Sequence, residues 1–288
     1  MRSAEEIKRL IIDVAKNDDR IRAVLLNGSR ANNKIPSDKY QDFDIVYVTD
    51  DFESLIADRE WTNKFGEKLI WQLPDEMVVG QKEPEKGNRF SLLMLFTDGN
   101  RIDLTLLSKK EIDPNGKTDS LTIVWLDKDN MFPNIPLPSD LDYLVKEPTE
   151  KEFLDTCNEF WWVCTYVAKG LLRNEIIYSK EMLETVVRPM FMNVISWHIG
   201  LETNFSVSIG KAGKFISNFL SPELYQQILQ TYSDQVVENN WRALFLMMDI
   251  FGQLARAVSG KLKFRYVFGE EENVIAYLKQ LHNGTGQT

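Results

Sequence analysis

Two hydrophobic periodicities divide this 288-residue chain, and no single layer of secondary structure satisfies both. In the first half the apolar residues fall in short β-branched and aromatic runs, at 21–26, 43–48, 69–72, 90–96, 102–107 and 121–126, the lengths of strands. Asp98-Gly99-Asn100, between two of these runs, predicts a hairpin turn. Ahead of them Ser3 and Glu6 form a capping box, followed by Ile7, Leu10, Ile11 and Val14 at helical spacing. From Asp127 onward the pattern breaks into Asp, Asn and the prolines Pro133, Pro136, Pro138 and Pro148, which suit neither helix nor central strand. Thr149 and Glu152 make a second capping box, and helical spacing then governs 151–172, 176–200, 224–231, 241–258 and 271–281, before a short polar tail at 284–288. The expected fold is α+β: a mixed β-sheet with flanking helices over residues 1–135, then an α-helical bundle over 136–288.

Charge narrows the partners. Acidic residues outnumber basic ones 43 to 34, for a net charge of -9, the wrong sign for gripping nucleic acid by its phosphates. A small cationic substrate suits the balance, and so does plain solubility. The charged start, Met1-Arg2-Ser3-Ala4-Glu5-Glu6, lacks the apolar region of a signal peptide. No apolar run is expected to approach the roughly 20 residues of a spanning helix. The expectation is a cytoplasmic protein, monomer or homodimer, with neither membrane nor nucleic acid as partner. Cys157 and Cys164 lie about 10 Å apart along a predicted helix, too far to pair, and read as buried thiols.

The chemistry concentrates in the first half. In Leu26-Asn27-Gly28-Ser29-Arg30 a strand runs into a glycine, a hydroxyl and a cation. Such a turn can close backbone N–H groups on a phosphate, or simply end a strand. Next comes Asp42-Phe43-Asp44-Ile45: residues two apart share a strand face, so Asp42 and Asp44 stand side by side while Phe43 and Ile45 turn inward. Paired carboxylates repel unless a cation separates them, and Mg2+ is the hard, oxygen-seeking ion that also brings phosphates; a solvated strand end is the plainer reading. In Arg101-Ile102-Asp103-Leu104-Thr105, Asp103 shares its face with Arg101 and Thr105. Three carboxylates with a phosphate turn are the parts that two-metal phosphoryl or nucleotidyl transfer requires.

Gly28-Ser29, the gap, Asp42-x-Asp44 and a later strand aspartate resemble the signature of the DNA polymerase β-like nucleotidyltransferase superfamily. Nearly the whole chain is similar to the aminoglycoside 6-nucleotidyltransferases, the streptomycin adenylyltransferases. That closer likeness is carried by Gln41-Asp42-Phe43-Asp44-Ile45-Val46-Tyr47, Asp98-Gly99-Asn100-Arg101-Ile102-Asp103, Cys157-Asn158-Glu159-Phe160-Trp161-Trp162 and Tyr166-Val167-Ala168-Lys169-Gly170-Leu171. It implies an N-terminal nucleotidyltransferase domain and a helical substrate-binding domain. The implied reaction moves AMP from MgATP to a hydroxyl of an aminoglycoside, the 6-hydroxyl of streptomycin first among them, with release of pyrophosphate. Residue by residue it implies Gly28, Ser29 and Arg30 on the triphosphate, Asp42 and Asp44 on magnesium, and Asp103 both on magnesium and beside the attacking hydroxyl. Two places depart from the family pattern: Arg89 stands where a tryptophan is expected, and the chain after Tyr266 follows a different course.

In the helical half Lys169 and Arg173 lie four apart on one face, and the resemblance implies that a lysine there reaches the ATP phosphates; helix-terminal cations also simply complement the dipole. Glu159, with Trp162 and Tyr166 on the same helix, suits a cationic aminocyclitol, with Asp155 one turn before. Glu159 is also the alternative to Asp103 as general base. His198 and His282 are far apart and lack cysteine companions, so neither is assigned a metal, and His198 reads as a packed helix residue. A lincosamide or another aminoglycoside as acceptor is the second enzymatic reading, and a non-catalytic nucleotide-binding module the reading from another class.

Overall fold

The computed structural model describes residues 1–79, 88–113 and 116–284; Gly87 and the tail beyond Gly284 lie outside the described residues. They divide into two compact units, Met1–Asp142 and Tyr143–Thr288. The segment 136–142 stays with the first unit because its acids bond back to it. Lys34 Nζ reaches Asp140 Oδ1 at 2.6 Å, and the Ser120 amide donates to Asp142 Oδ2 at 2.9 Å.

The first unit opens with α1 (Ala4–Lys16), whose N-terminus is closed by the reciprocal Ser3–Glu6 capping box. Then follow β1 (Ile21–Asn27), β2 (Phe43–Thr49), the short α2 (Phe52–Ala57), β3 (Lys68–Gln72), β4 (Arg89–Phe96), β5 (Arg101–Ser108) and β6 (Ile123–Asp127). The strands form one sheet in the order β3-β4-β5-β2-β1-β6. Only the β2/β5 pair is parallel; the rest run antiparallel, so the sheet is mixed. Gly99, at φ +83, turns the β4–β5 hairpin, where Asp98 is held by Arg2 Nε at 2.6 Å. Strict alternation sends Phe43, Ile45 and Tyr47 of β2 and Ile102, Leu104 and Leu106 of β5 into a core shared with Ile7 and Ile11 of α1. The buried Tyr47 hydroxyl keeps a partner by donating to the Ile11 carbonyl at 2.6 Å.

The second unit is helical. Its elements are α3 (Glu150–Leu172), α4 (Ile176–Met182), α5 (Arg188–Glu202), α6 (Pro222–Gln230), α7 (Val237–Leu262) and α8 (Phe268–Gly284). Thr149 and Glu152 cap α3 as their spacing predicts. The sequence predicts one helix over 176–200; the backbone instead passes through a π-helical turn at Leu183–Val187 between α4 and α5. Phe160 of α3 stacks on Phe251 of α7 with ring centroids 3.6 Å apart, at the middle of this unit's core. Cys157 and Cys164 are buried free thiols, pushed up by burial, Cys157 to about 12. By length and composition α7 is apolar enough to cross a bilayer, with mean hydropathy 1.2, which corrects the expectation that no run approaches that length. Its apolar stretch is 61% buried inside the protein, as a core helix is.

Candidate active site

Strand pairing brings the three sequence-predicted carboxylates of the first unit together. In the parallel β2/β5 ladder Asp44 is the direct partner of Asp103, so the two side chains lie on one face of neighbouring strands. Asp42, two residues before Asp44, precedes β2 on the same face. All three are half-buried, with Asp42 more open than Asp103, at 38% and 20% side-chain exposure.

The turn over this face needs its glycine. Gly28 sits at φ +72, and a Cβ built on it would stand 2.2 Å from Asp44 Oδ2. Gly28 therefore lets the backbone of the Gly28–Ala31 turn come down onto the Asp44 carboxylate. Asn27, opposite Asp44 in the β1/β2 ladder, is fixed from the other side by the Thr122 hydroxyl at 2.9 Å. Arg30, predicted to meet the triphosphate, donates to the Asp42 carbonyl at 2.9 Å and the Gln41 carbonyl at 2.6 Å. Its guanidinium also lies 3.8 Å from the centre of the Phe43 ring. It fastens the chain that carries Asp42; burial lowers its affinity for its proton, against the pull of Asp38, Asp42 and Asp44.

A cation to which the sequence assigns no role, Arg101, lies in the cluster. Arg101 grips Asp103 with both arms, Nε to Oδ1 and Nη2 to Oδ2, each at 2.7 Å, and its Nε is 3.7 Å from Asp42 Oδ2. The bond to Asp103 holds Arg101 still more firmly protonated, against a smaller effect of burial. Burial raises Asp42 above the usual carboxylate range; Arg101 opposes the rise, Asp103 adds to it, and Arg30 opposes it. The i, i+2 spacing of Arg101 and Asp103 was the available signal for this pair.

As they stand, no three His, Cys, Asp or Glu side chains among the described residues converge as a ready metal cage. The donor set nevertheless suits magnesium: it is all carboxylate oxygen, without nitrogen or sulfur, and the Gly28 turn packs directly against the Asp44 carboxylate. Further along the same sheet face a cavity of about 170 Å³ is lined by Asn27, Val46, Arg89, Thr105, Leu107 and Thr122. That is below the ~300 Å³ at which sites for whole small molecules begin. Arg89 is exposed at the start of β4.

In the second unit the remaining predicted residues form one stripe. Asp155, Glu159, Trp162, Tyr166, Lys169 and Arg173 recur at spacings of four and three along α3 and its C-cap, and none of them is buried. The opposite face of α3 supplies Phe153, Phe160, Trp161, Cys164 and Val167 to the core. Trp162 is 59% exposed, and its indole N–H donates to the Tyr166 hydroxyl at 2.7 Å. Among the described residues the charged ends of Glu159, Lys169 and Arg173 have no hydrogen-bond or ion-pair partner, whereas Asp155 is paired with Lys151. His198 is half-buried, and burial pulls its imidazole below its ordinary value.

A family model described as streptomycin adenylyltransferase matches residues 1–281. An aminoglycoside 6-adenylyltransferase of Bacillus subtilis (strain 168) is 41% identical over 267 residues, 92% of this chain and 93% of that one. Its counterpart in Campylobacter jejuni is 40% identical over 272 residues, 94% and 93% of the two chains. A solved structure, an aminoglycoside 6-adenyltransferase from Bacillus subtilis, is 36% identical with 98% and 99% coverage and a TM-score of 0.48.

Proposed function

The chain belongs to the streptomycin adenylyltransferase family and is a nucleotidyltransferase that adenylylates aminoglycosides; from that premise we propose that it moves AMP from ATP to the 6-hydroxyl of streptomycin, releasing pyrophosphate. The observation that carries the chemistry is the parallel pairing of Asp44 with Asp103, two residues from Asp42 and against the Gly28 turn. Asp42, Asp44 and Asp103 are the residues that would hold Mg2+. When bound, the ion neutralises phosphate charge that these carboxylates would otherwise repel. Gly28 and Ser29 offer the triphosphate backbone N–H groups and a hydroxyl. Arg30 acts by holding the main chain of Gln41 and Asp42 in place.

In the helical unit Lys169 and Arg173, without ion-pair partners among the described residues, offer positive charge for phosphates. Glu159, Trp162 and Tyr166 offer a carboxylate beside aromatic faces, the chemistry that recognises an ammonium-rich aminocyclitol. Asp155, already paired with Lys151, is a lesser contributor to that end. Asp103 is one of the residues that would hold Mg2+, while the Glu159 carboxylate has no hydrogen-bond or ion-pair partner among the described residues, which supports Glu159 as the group that takes the acceptor hydroxyl's proton. The oxygen then attacks the α-phosphorus in line, forming one P–O bond as the bond to pyrophosphate breaks. Since ATP is abundant in the cytoplasm, we place the enzyme there.

The test is pyrophosphate release from purified protein with MgATP and streptomycin, with the adenylylated position read by mass spectrometry and NMR. Release with streptomycin and modification at O6 is the expected result. Release only with another aminoglycoside or a lincosamide overturns the acceptor assignment, and no release across that panel overturns the enzymatic reading.

A further inference from the structure

Arg101 has no part in the proposed reaction, yet it bonds both oxygens of Asp103. It lies two residues before Asp103 on β5, which puts both side chains on one face of the strand. Its fork matches the Asp103 carboxylate oxygen for oxygen at 2.7 Å, and the same Nε is 3.7 Å from Asp42. Packing does not require this: the Arg101 side chain is 42% exposed, and exposed ion pairs contribute little to stability. What the position does is electrostatic. A guanidinium there balances the charge of crowded carboxylates and occupies the two oxygens through which Asp103 would bind a metal.

We infer that Arg101 is a built-in counter-ion that a divalent cation must displace from Asp103, and whose charge beside Asp42 holds cation affinity down. The inference rests on reading Asp42, Asp44 and Asp103 as the cation-holding carboxylates. It makes Arg101 a positioning residue, acting through the carboxylates rather than on substrate. A lysine in its place keeps the charge but cannot engage both oxygens of Asp103 at once, so it competes less well.

The decisive measurement is Mn2+ binding to the full-length protein without nucleotide or acceptor, followed by the electron paramagnetic resonance of free Mn2+. Arg101→Met is expected to bind Mn2+ about tenfold more tightly than the parent, a difference of ~1.4 kcal/mol. Arg101→Lys is expected to bind about threefold more tightly, and it serves if Arg101→Met does not fold. Unchanged or weaker binding in the folded Arg101 variants overturns the inference. Asp42→Asn and Asp44→Asn separate the two levels: if both weaken Mn2+ binding while the Arg101 variants do not tighten it, only the counter-ion role fails. If neither aspartate variant alters binding, the cation-site reading fails and the inference with it.

Discussion

Replacing Gly28 by alanine tests the active-site reading at one atom. The added Cβ would stand 2.2 Å from Asp44 Oδ2 and 3.0 Å from its Cγ. Ordinary contacts lie near 3.5 Å, so the carboxylate must move by about 1 Å. Because the clash is with the far end of a side chain, the fold can absorb it. Holding alanine at the Gly28 φ of +72 costs about 1 kcal/mol, and turning the Asp44 side chain away from its rotamer roughly another 1 kcal/mol. A loss of ~2 kcal/mol lowers the melting temperature of a unit this size by roughly 4–8 °C. Turnover suffers more, since a 1 Å misplacement of a reacting group costs about 100-fold, or ~2.7 kcal/mol in the barrier. The assay is pyrophosphate release with MgATP and the best aminoglycoside acceptor, alongside a thermal melt. Ser29→Ala is the control: it keeps the glycine and gives up one hydrogen bond to phosphate, for a loss of about tenfold. A folded Gly28→Ala enzyme within about threefold of parental kcat/KM would refute the argument that this glycine exists to let the turn meet Asp44.

Asp44→Asn is expected to lower kcat by about 1,000-fold or more with the melting temperature held within a few degrees, measured in the same two assays; retained turnover would remove Asp44 from the chemistry. Trp162→Ala should raise KM for the aminoglycoside about tenfold and leave KM for ATP unchanged, whereas Glu159→Gln should act on kcat by ~100-fold or more; equal effects on both substrates' KM values would argue that the stripe only supports the fold. For pH, the sign follows from His198, whose folded-state value is lowered by burial, with Glu202 opposing in part. The unfolded chain takes up the proton first, so the stability tied to a neutral His198 is complete above about pH 6.5 and is lost as pH falls below it. His198→Gln cannot be protonated, and thermal melts should show its deficit against the parent narrowing from pH 7 to pH 5; a constant gap would show that His198 does not titrate between the two states.

The sequence exposes whatever depends on near neighbours along the chain. Alternation in β2 and β5 shows that Asp42 and Asp44 share a face and that Phe43 and Ile45 oppose them, because strand geometry leaves no other arrangement. Both capping boxes form as their spacing requires. The order of strands is another matter. Nothing near Asp103 announces that β5 lies parallel to β2, and only that long-range pairing makes Asp103 the partner of Asp44. Arg101 is hidden for a different reason: its place on the face follows from spacing, but the choice between solvent and Asp103 is made by side-chain rotamers and local charge. The π-helical turn at Leu183–Val187 has no counterpart in the apolar spacing, which fits an unbroken helix equally well. Counting uninterrupted apolar residues also undervalued α7, where Asp249 and Arg256 break the run while most of the stretch packs in the core.

A chain of net charge -9 that adenylylates a polycation must also bind a highly anionic nucleotide, and an even spread of charge serves neither. The α3 stripe sorts the problem along one helix, with Glu159 toward one end, Trp162 and Tyr166 in the middle, and Lys169 and Arg173 toward the other. Glu159 and Lys169 are ten residues apart, roughly 15 Å along the axis. At physiological salt the screening length is about 8 Å, so each end presents its own sign with little cancellation by the other. Had the charges alternated at i, i+4, they would have paired with each other, as Lys151 and Asp155 do one turn earlier. On the proposed roles, sorting leaves Glu159 and Lys169 available for ligands of opposite charge and separates their effects. That separation is the physical reason for expecting a change at Trp162 to alter the affinity for the aminoglycoside and not for ATP.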